Sequence, residues 1–225
     1  MGVSAVILAA GRGRRVGADR NKLLLPLDGR PLLSYAVRAF VASNAVDEVV
    51  VVVHPGDMRE VRDIVEPIAP TGRIVPGGEV RRDSALAGAR AATGDIVLIH
   101  DGARPFVDRG LIERVVDGVR THGACIPVIP VADTLHRCTP DGRIAGTIDR
   151  EGAVHAQAPQ GFRRDLILEA LASADASVTD DAAAAMTRGI TVHTVIGDRE
   201  NLKITASEDF DRALNILASR ASGIE

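Results

Sequence analysis

Five valines in a row, residues 49–53, constrain this chain more than any other stretch. A strand sends alternate side chains to opposite faces, so an unbroken β-branched run is stable only where both faces are covered. Residues 3–10, 95–100 and 123–131 are apolar runs of the same character, and residues 73–75 add a short strand. Between them lie segments with helical spacing: 31–42 with Pro31 at its start, 57–66, 81–92 and 109–120. Strands that alternate with helices in this way predict an α/β fold, with an open, mainly parallel sheet flanked by helices. Hydrophobic residues make up 46% of the chain but aromatics only 2%, so the core must be built from Val, Ile, Leu and Ala.

The rhythm changes after Val131. Residues 134–137 and 143–148, joined by Pro140-Asp-Gly142, predict a β-hairpin, and residues 153–158 a further extended piece. Strands without helices cannot bury their own faces. The region 133–158 is therefore expected to be an inserted antiparallel arm that packs on a second subunit, giving a homodimer. Helices at 164–172, 180–188 and 207–220, the last with Ser207 as N-cap, and a strand at 190–196 complete a single domain over residues 1–225.

Ligands of such sheets gather at the carboxyl ends of the strands. The first run ends in a loop where Gly11 and Gly13 let the backbone bring its N–H groups close to a ligand, with Arg12, Arg14, Arg15 and Lys22 around it. Amide donors and mobile cations suit the phosphates of a nucleoside triphosphate. A glycine turn with solvated arginines would give the same pattern. The spacing matches neither a Walker loop nor a dinucleotide fingerprint, since Gly17 comes one residue late. The strand at 73–75 leads into Gly77, Gly78 and Glu79, then Arg81-Arg-Asp-Ser84, which reads either as a segment open to a base or ribose or as a turn with an ordinary helix start. The strand at 95–100 ends at Asp101, which suits Mg²⁺ held together with phosphates and water, or a carboxylate bonded to loop amides. Arg104 either holds a substrate or braces Asp101, and His100 reads as a satisfied strand-end histidine. Lys203, just before the last helix, says little alone.

A net charge of -3, no Trp and few aromatics argue against nucleic acid as a partner. No apolar run is long enough to span a membrane. The N-terminus has no basic region before an apolar core, so a cytoplasmic protein is expected. Cys125 and Cys138 are too few for a disulfide framework or a zinc site.

These residues resemble a known family. Leu8-Ala-Ala-Gly-x-Gly-x-Arg15 with Lys22, and His100-Asp-Gly-Ala-Arg-Pro105, resemble the sugar-phosphate nucleotidyltransferases. Asp133-Thr134, Thr147-x-Asp-Arg150, Pro159-Gln160, Thr179-Asp-Asp181 and Asn201-x-Lys-x-Thr205 narrow the resemblance to the 2-C-methyl-D-erythritol 4-phosphate cytidylyltransferases of non-mevalonate isoprenoid synthesis. The resemblance implies a Rossmann-like domain, a homodimer joined by the arm, CTP and a polyol phosphate as substrates, and Mg²⁺ as cofactor. It implies nucleotide binding by Ala9, Ala10, Gly11, Gly13, Gly78, Glu79 and Ser84, and a metal on Asp101. Arg15, Lys22, Arg150 and Lys203 match catalytic positions, and Arg104, Thr134, Arg150, Thr179 and Lys203 substrate positions. Ala158, Leu8, Asn21 and Leu23 depart from the family pattern. Two other readings remain open: a cytidylyltransferase for another polyol phosphate such as ribitol 5-phosphate, and a non-catalytic nucleotide-binding module. Loss of Arg15, Lys22, Asp101 or Lys203 would mark the module, and all four are present.

Overall fold

A computed structural model describes residues 1–11 and 21–222. Strand β1 (Val3–Ala9) is followed by a small hairpin of β2 (Pro26–Leu27) and β3 (Arg30–Pro31), then α1 (Leu32–Val41) and β4 (Glu48–Val53). Next come α2 (Met58–Val65), β5 (Arg73–Pro76), α3 (Arg81–Ala91), β6 (Ile96–Asp101), α4 (Arg109–His122) and β7 (Ala124–Pro130). The second half holds β8 (Leu135–Cys138), β9 (Ile144–Ile148), β10 (Val154–Ala156), β11 (Gln160–Arg163), α5 (Arg164–Ser173), α6 (Asp181–Thr187), β12 (His193–Ile196) and α7 (Glu208–Ala221).

The valine run does what its pattern predicts. β4 pairs in parallel with β1 on one side and β5 on the other. Val49, Val51 and Val53 pack with residues of α1, α2 and α4, while Val50 and Val52 pack with α3 on the opposite face. The helices are placed by local signals as well. The Asp108 carboxylate accepts from Leu111 N–H at 2.6 Å to start α4, and Gly123, at φ 84°, ends it in a left-handed turn. Ser207 caps nothing with its side chain. Asp209 accepts instead from the N–H groups of Thr205 and Ala206 at 2.7 and 3.0 Å, a carboxylate being the stronger acceptor at a helix start.

The main sheet runs β5-β4-β1-β6-β11-β7, with β10 and β12 also paired to β7. It is parallel except for β10 and β11, so the mainly parallel, helix-flanked fold is present. Sequence patterning misses β11, which sits antiparallel between β6 and β7. It is short and carries Gln160 and Gly161, so nothing local marks it as a buried strand. β8 and β9 form a separate two-stranded sheet, as expected for an arm, with Ile144 64% and Ile148 39% exposed. The extended piece at 153–158 differs from expectation: its strand β10 joins the main sheet through β7. Among the described residues no helix is long and apolar enough to cross a membrane.

Candidate active site

A cleft of about 720 Å³ opens at the carboxyl ends of β1, β4, β5 and β6. Its walls come from Ala10 and Gly11 after β1, His54 and Pro55 after β4, the segment 77–81 after β5, and Asp101 at the end of β6. Lys22, Lys203 and Thr205 close it from the other side. The turn at 77–78 needs glycine because of close packing. A Cβ on Gly77 would lie 2.5 Å from the Ala10 Cβ, and one on Gly78 would clash with Asp83. Ser84, buried under that turn, accepts from Gly78 N–H at 3.2 Å. Its hydroxyl therefore holds the wall of the cleft.

Asp101 is the electrostatic centre. Its Oδ2 lies 2.9 Å from Lys203 Nζ and 3.6 Å from Arg104 Nε, and its Oδ1 lies 3.5 Å from Arg81 Nε. Burial would raise this carboxyl, but Lys203, then Arg81 and Arg104, outweigh it and hold it well below the usual carboxylate range. Arg81 is itself anchored. Its Nη1 and Nη2 donate to the two oxygens of Asp181 at 3.0 and 2.8 Å. Burial pulls on the guanidinium in the opposite sense, yet Asp181 and Asp101 keep it protonated and above its ordinary value. Burial pushes the Asp181 carboxyl up, against the pull of Arg81. Paired donors on both oxygens are the geometry of an ionised pair, so Asp181 is a carboxylate while Arg81 is in place.

Arg104 lies behind Asp101. Its Nη1 donates to the Asn201 carbonyl at 2.6 Å, which is the bracing arrangement of the two that the sequence leaves open. His100 is fully buried, and burial pulls it down to about 4. Its Nε2 is 3.1 Å from the Arg104 carbonyl and its ring meets Phe40 edge-on at 4.9 Å, so it packs the base of the site as a neutral group. Lys22 Nζ donates to the Ile204 carbonyl at 2.6 Å, and Ile204 N–H donates to the Ala103 carbonyl at 2.9 Å. These bonds lay the 203–205 segment along the cleft.

Of the residues singled out from sequence, Ala10, Gly11, Lys22, Gly78, Glu79, Ser84, Asp101 and Lys203 line the cleft together. Ala9 is buried beside it, and its carbonyl accepts from Asn21. Thr134, Arg150 and Thr179 do not line it, and Thr134 and Arg150 are exposed. The Arg150 guanidinium donates to the Ala132 carbonyl at the root of the arm. Gly13 and Arg15 lie outside the described residues. Sequence reasoning places the segment of Arg81 at the site without giving Arg81 a role, and it does not assign Asn21 or Thr205. Arg81 has a usable signal, a cation at the helix start shortly after a double glycine. Asn21 has none.

The chain is thus an α/β protein with a mainly parallel sheet and a cationic, glycine-walled cleft at the carboxyl edge, where open sheets of this class place their ligands. The chain belongs to the 2-C-methyl-D-erythritol 4-phosphate cytidylyltransferase family, whose model matches residues 3–219. It is 41% identical over 226 residues to the 2-C-methyl-D-erythritol 4-phosphate cytidylyltransferase of Pelotomaculum thermopropionicum, covering 97% of this chain and 95% of that protein. It is 43% identical over 215 residues to the bifunctional enzyme IspD/IspF of Rhodospirillum rubrum, covering 94% of this chain and 56% of that protein. The chain thus spans little more than half the length of the bifunctional relatives that it matches. The crystal structure of 2-C-methyl-D-erythritol 4-phosphate cytidylyltransferase from Thermus thermophilus superposes with a TM-score of 0.80 at 33% identity, over 97% of this chain and 100% of that one.

Proposed function

We propose that this chain transfers a cytidylyl group from CTP to 2-C-methyl-D-erythritol 4-phosphate, giving 4-diphosphocytidyl-2-C-methyl-D-erythritol and pyrophosphate. The observation that carries the reading is the convergence of Lys22, Lys203 and Asp101 on one cleft walled by glycine backbone. In the reaction, a phosphate oxygen of the polyol phosphate bonds to the α-phosphorus of CTP. The bond from that phosphorus to the bridging oxygen breaks, and its electron pair leaves with pyrophosphate. A phosphate monoester is already an anionic nucleophile and needs no general base. The work lies in neutralising two polyanions and aligning them. Lys22 is held at the Ile204 carbonyl to meet the triphosphate, and Lys203, one residue before Ile204, to meet the second phosphate.

Mg²⁺ is part of this reading. Among the described residues, no group of three or more His, Cys, Asp or Glu converges to hold a metal by itself. Asp101, one of two carboxylates on the cleft with Glu79, fits an ion that takes one or two carboxylates and fills its shell with phosphates and water. When bound there, Mg²⁺ would neutralise charge on the triphosphate.

The test is pyrophosphate release from CTP, ATP and GTP with methylerythritol phosphate and ribitol 5-phosphate as acceptors. On this reading CTP should be preferred over the purine triphosphates by about two orders of magnitude, the discrimination expected of a base site built for a pyrimidine. Comparable efficiency with a purine triphosphate would reject the cytidylyl reading, and better turnover of ribitol phosphate would reassign the acceptor.

The proposal includes a homodimer with shared sites. What supports it is the arm with exposed Ile144 and Ile148, and Arg150 at its root, away from its own cleft. Mixing inactive Lys22→Ala subunits with inactive Arg150→Ala subunits should then restore activity toward about a quarter of wild type, because a mixed dimer carries both lesions in one site and neither in the other. No recovery after demonstrated subunit exchange would mean that each site is built within one chain.

A further inference from the structure

Asn21 is buried, only 6% exposed, and directly precedes Lys22. Its side-chain nitrogen donates to the Ala9 carbonyl and to Asp57 Oδ2, each at 3.0 Å, while its side-chain oxygen accepts from Leu23 N–H at 3.1 Å. Both amide hydrogens and the oxygen are therefore used. The amide is fixed in one orientation, since turning it over would set its oxygen against two acceptors. The three partners belong to different parts of the site. Ala9 ends β1, Asp57 lies in the turn after β4, and Leu23 belongs to the short helical turn of Lys22–Leu24.

We infer that Asn21 is a positioning residue: its carboxamide ties the end of β1 to the Lys22 turn and sets the direction from which Lys22 enters the cleft. The inference rests on the reading of this cleft as a CTP site. Ala9 and Asn21 bracket the segment that carries Gly11, so the Ala9 bond joins its two ends across the strand edge. The Asp57 bond fixes that junction laterally against the neighbouring strand end. The Leu23 bond starts the turn whose first residue, Lys22, reaches the Ile204 carbonyl. With the carboxamide removed, the backbone at Ala10 and Gly11 and the Lys22 ammonium lose their common reference. A misplacement of the order of 1 Å costs about 10²-fold in rate.

The experiment uses the full chain with Asn21→Asp, which is isosteric but cannot donate to Ala9 or Asp57, and Asn21→Ala, which adds no charge. Thermal melting reports the fold, equilibrium titration reports CTP affinity, and steady-state kinetics give kcat and both KM values. Both variants should fold, bind CTP about tenfold more weakly and lose about 10-fold to 10²-fold in kcat, with KM for the polyol phosphate within about twofold of wild type. Wild-type kcat and CTP affinity in folded Asn21→Ala would overturn the inference, even with Asn21→Asp impaired, since the effect would then be one of charge. A loss shared equally by both substrates and by stability would also overturn it. Asp57→Ala, which removes one bond of the three, should show the same CTP-sided loss in smaller measure, and it decides the matter if neither Asn21 variant folds. Wild-type protein that binds CTP but releases no pyrophosphate would sink the functional reading alone, and CTP affinity would still decide for or against Asn21.

Discussion

Replacing Lys22 by alanine is expected to lower turnover about 10²-fold to 10³-fold while leaving the fold intact, the loss that follows removal of one preorganised charge from a reacting centre. Lys22 is half-buried at the cleft, and its ammonium is 2.6 Å from the Ile204 carbonyl. The turn that carries it is started by the Asn21 side chain. The charge is thus in place before substrate arrives, and little reorganisation remains to be done in the transition state. Alanine removes the charge and leaves the carbonyl of buried Ile204 without this donor, so stability should fall by about 1–3 kcal/mol while the domain stays folded. Melting curves and steady-state kinetics of the two proteins check this. Folded Lys22→Ala protein with turnover within about tenfold of wild type would remove Lys22 from the reaction.

The second large effect is on stability. Arg81→Ala should cost about 3–5 kcal/mol at neutral pH, because it leaves the Asp181 carboxylate buried with neither of its guanidinium donors. For a chain of this length the melting midpoint should fall on the order of 10 °C. The pH dependence has a definite sign. Burial already holds the folded pKa of Asp181 above its unfolded value, and with Arg81 gone it loses its counterweight and rises further. A group shifted that way supports the fold below its unfolded pKa and loses that support as pH rises. The gap between variant and wild type should therefore be widest near neutrality and narrow toward about pH 4, where Asp181 is protonated. Melting both proteins across that range tests the pair, and equal midpoints at neutral pH would show that it carries no stability.

Much of the fold was legible because burial on both faces leaves a continuous apolar signature. The valines of β4 are the plainest case, and β1, β6 and β7 follow the same rule. The hairpin of β8 and β9 was legible from its turn, where Gly142 does adopt φ 84°. β11 was not, because what buries it comes from elsewhere. Gln160 can lie in the core since Asp180 accepts from its nitrogen at 2.9 Å and its oxygen accepts from Ala182 N–H at 2.9 Å. The site divides along the same line. Gly78 and Asp101 could be grouped from sequence because strand ends share one edge of a parallel sheet, whereas Lys203, between β12 and α7, was reached only through the family resemblance. Arg81 and Asn21 owe their roles to carboxylates 100 and 36 positions along the chain, and no local pattern carries such partners. Ser84 lines the cleft and also holds the glycine turn, and Arg104 takes the bracing place behind Asp101 that the sequence had left open beside substrate contact.

The place of β11 also sets an order of events during synthesis. β6 and β7 follow one another closely in the chain, but each pairs with β11 across the gap between them. Neither can gain that shared partner until the ribosome has passed the whole arm and reached Arg163. Until then β6 keeps one open edge and β7, whose partners β10, β11 and β12 all follow it, has no strand beside it, and such apolar edges recruit strands from other chains. Closing them requires contacts distant in sequence, which form slowly. The interval between the emergence of β7 and the insertion of β11 is thus when this protein is most exposed to misassembly, and insertions that lengthen the arm should show first as lower soluble yield, before any change in the finished protein.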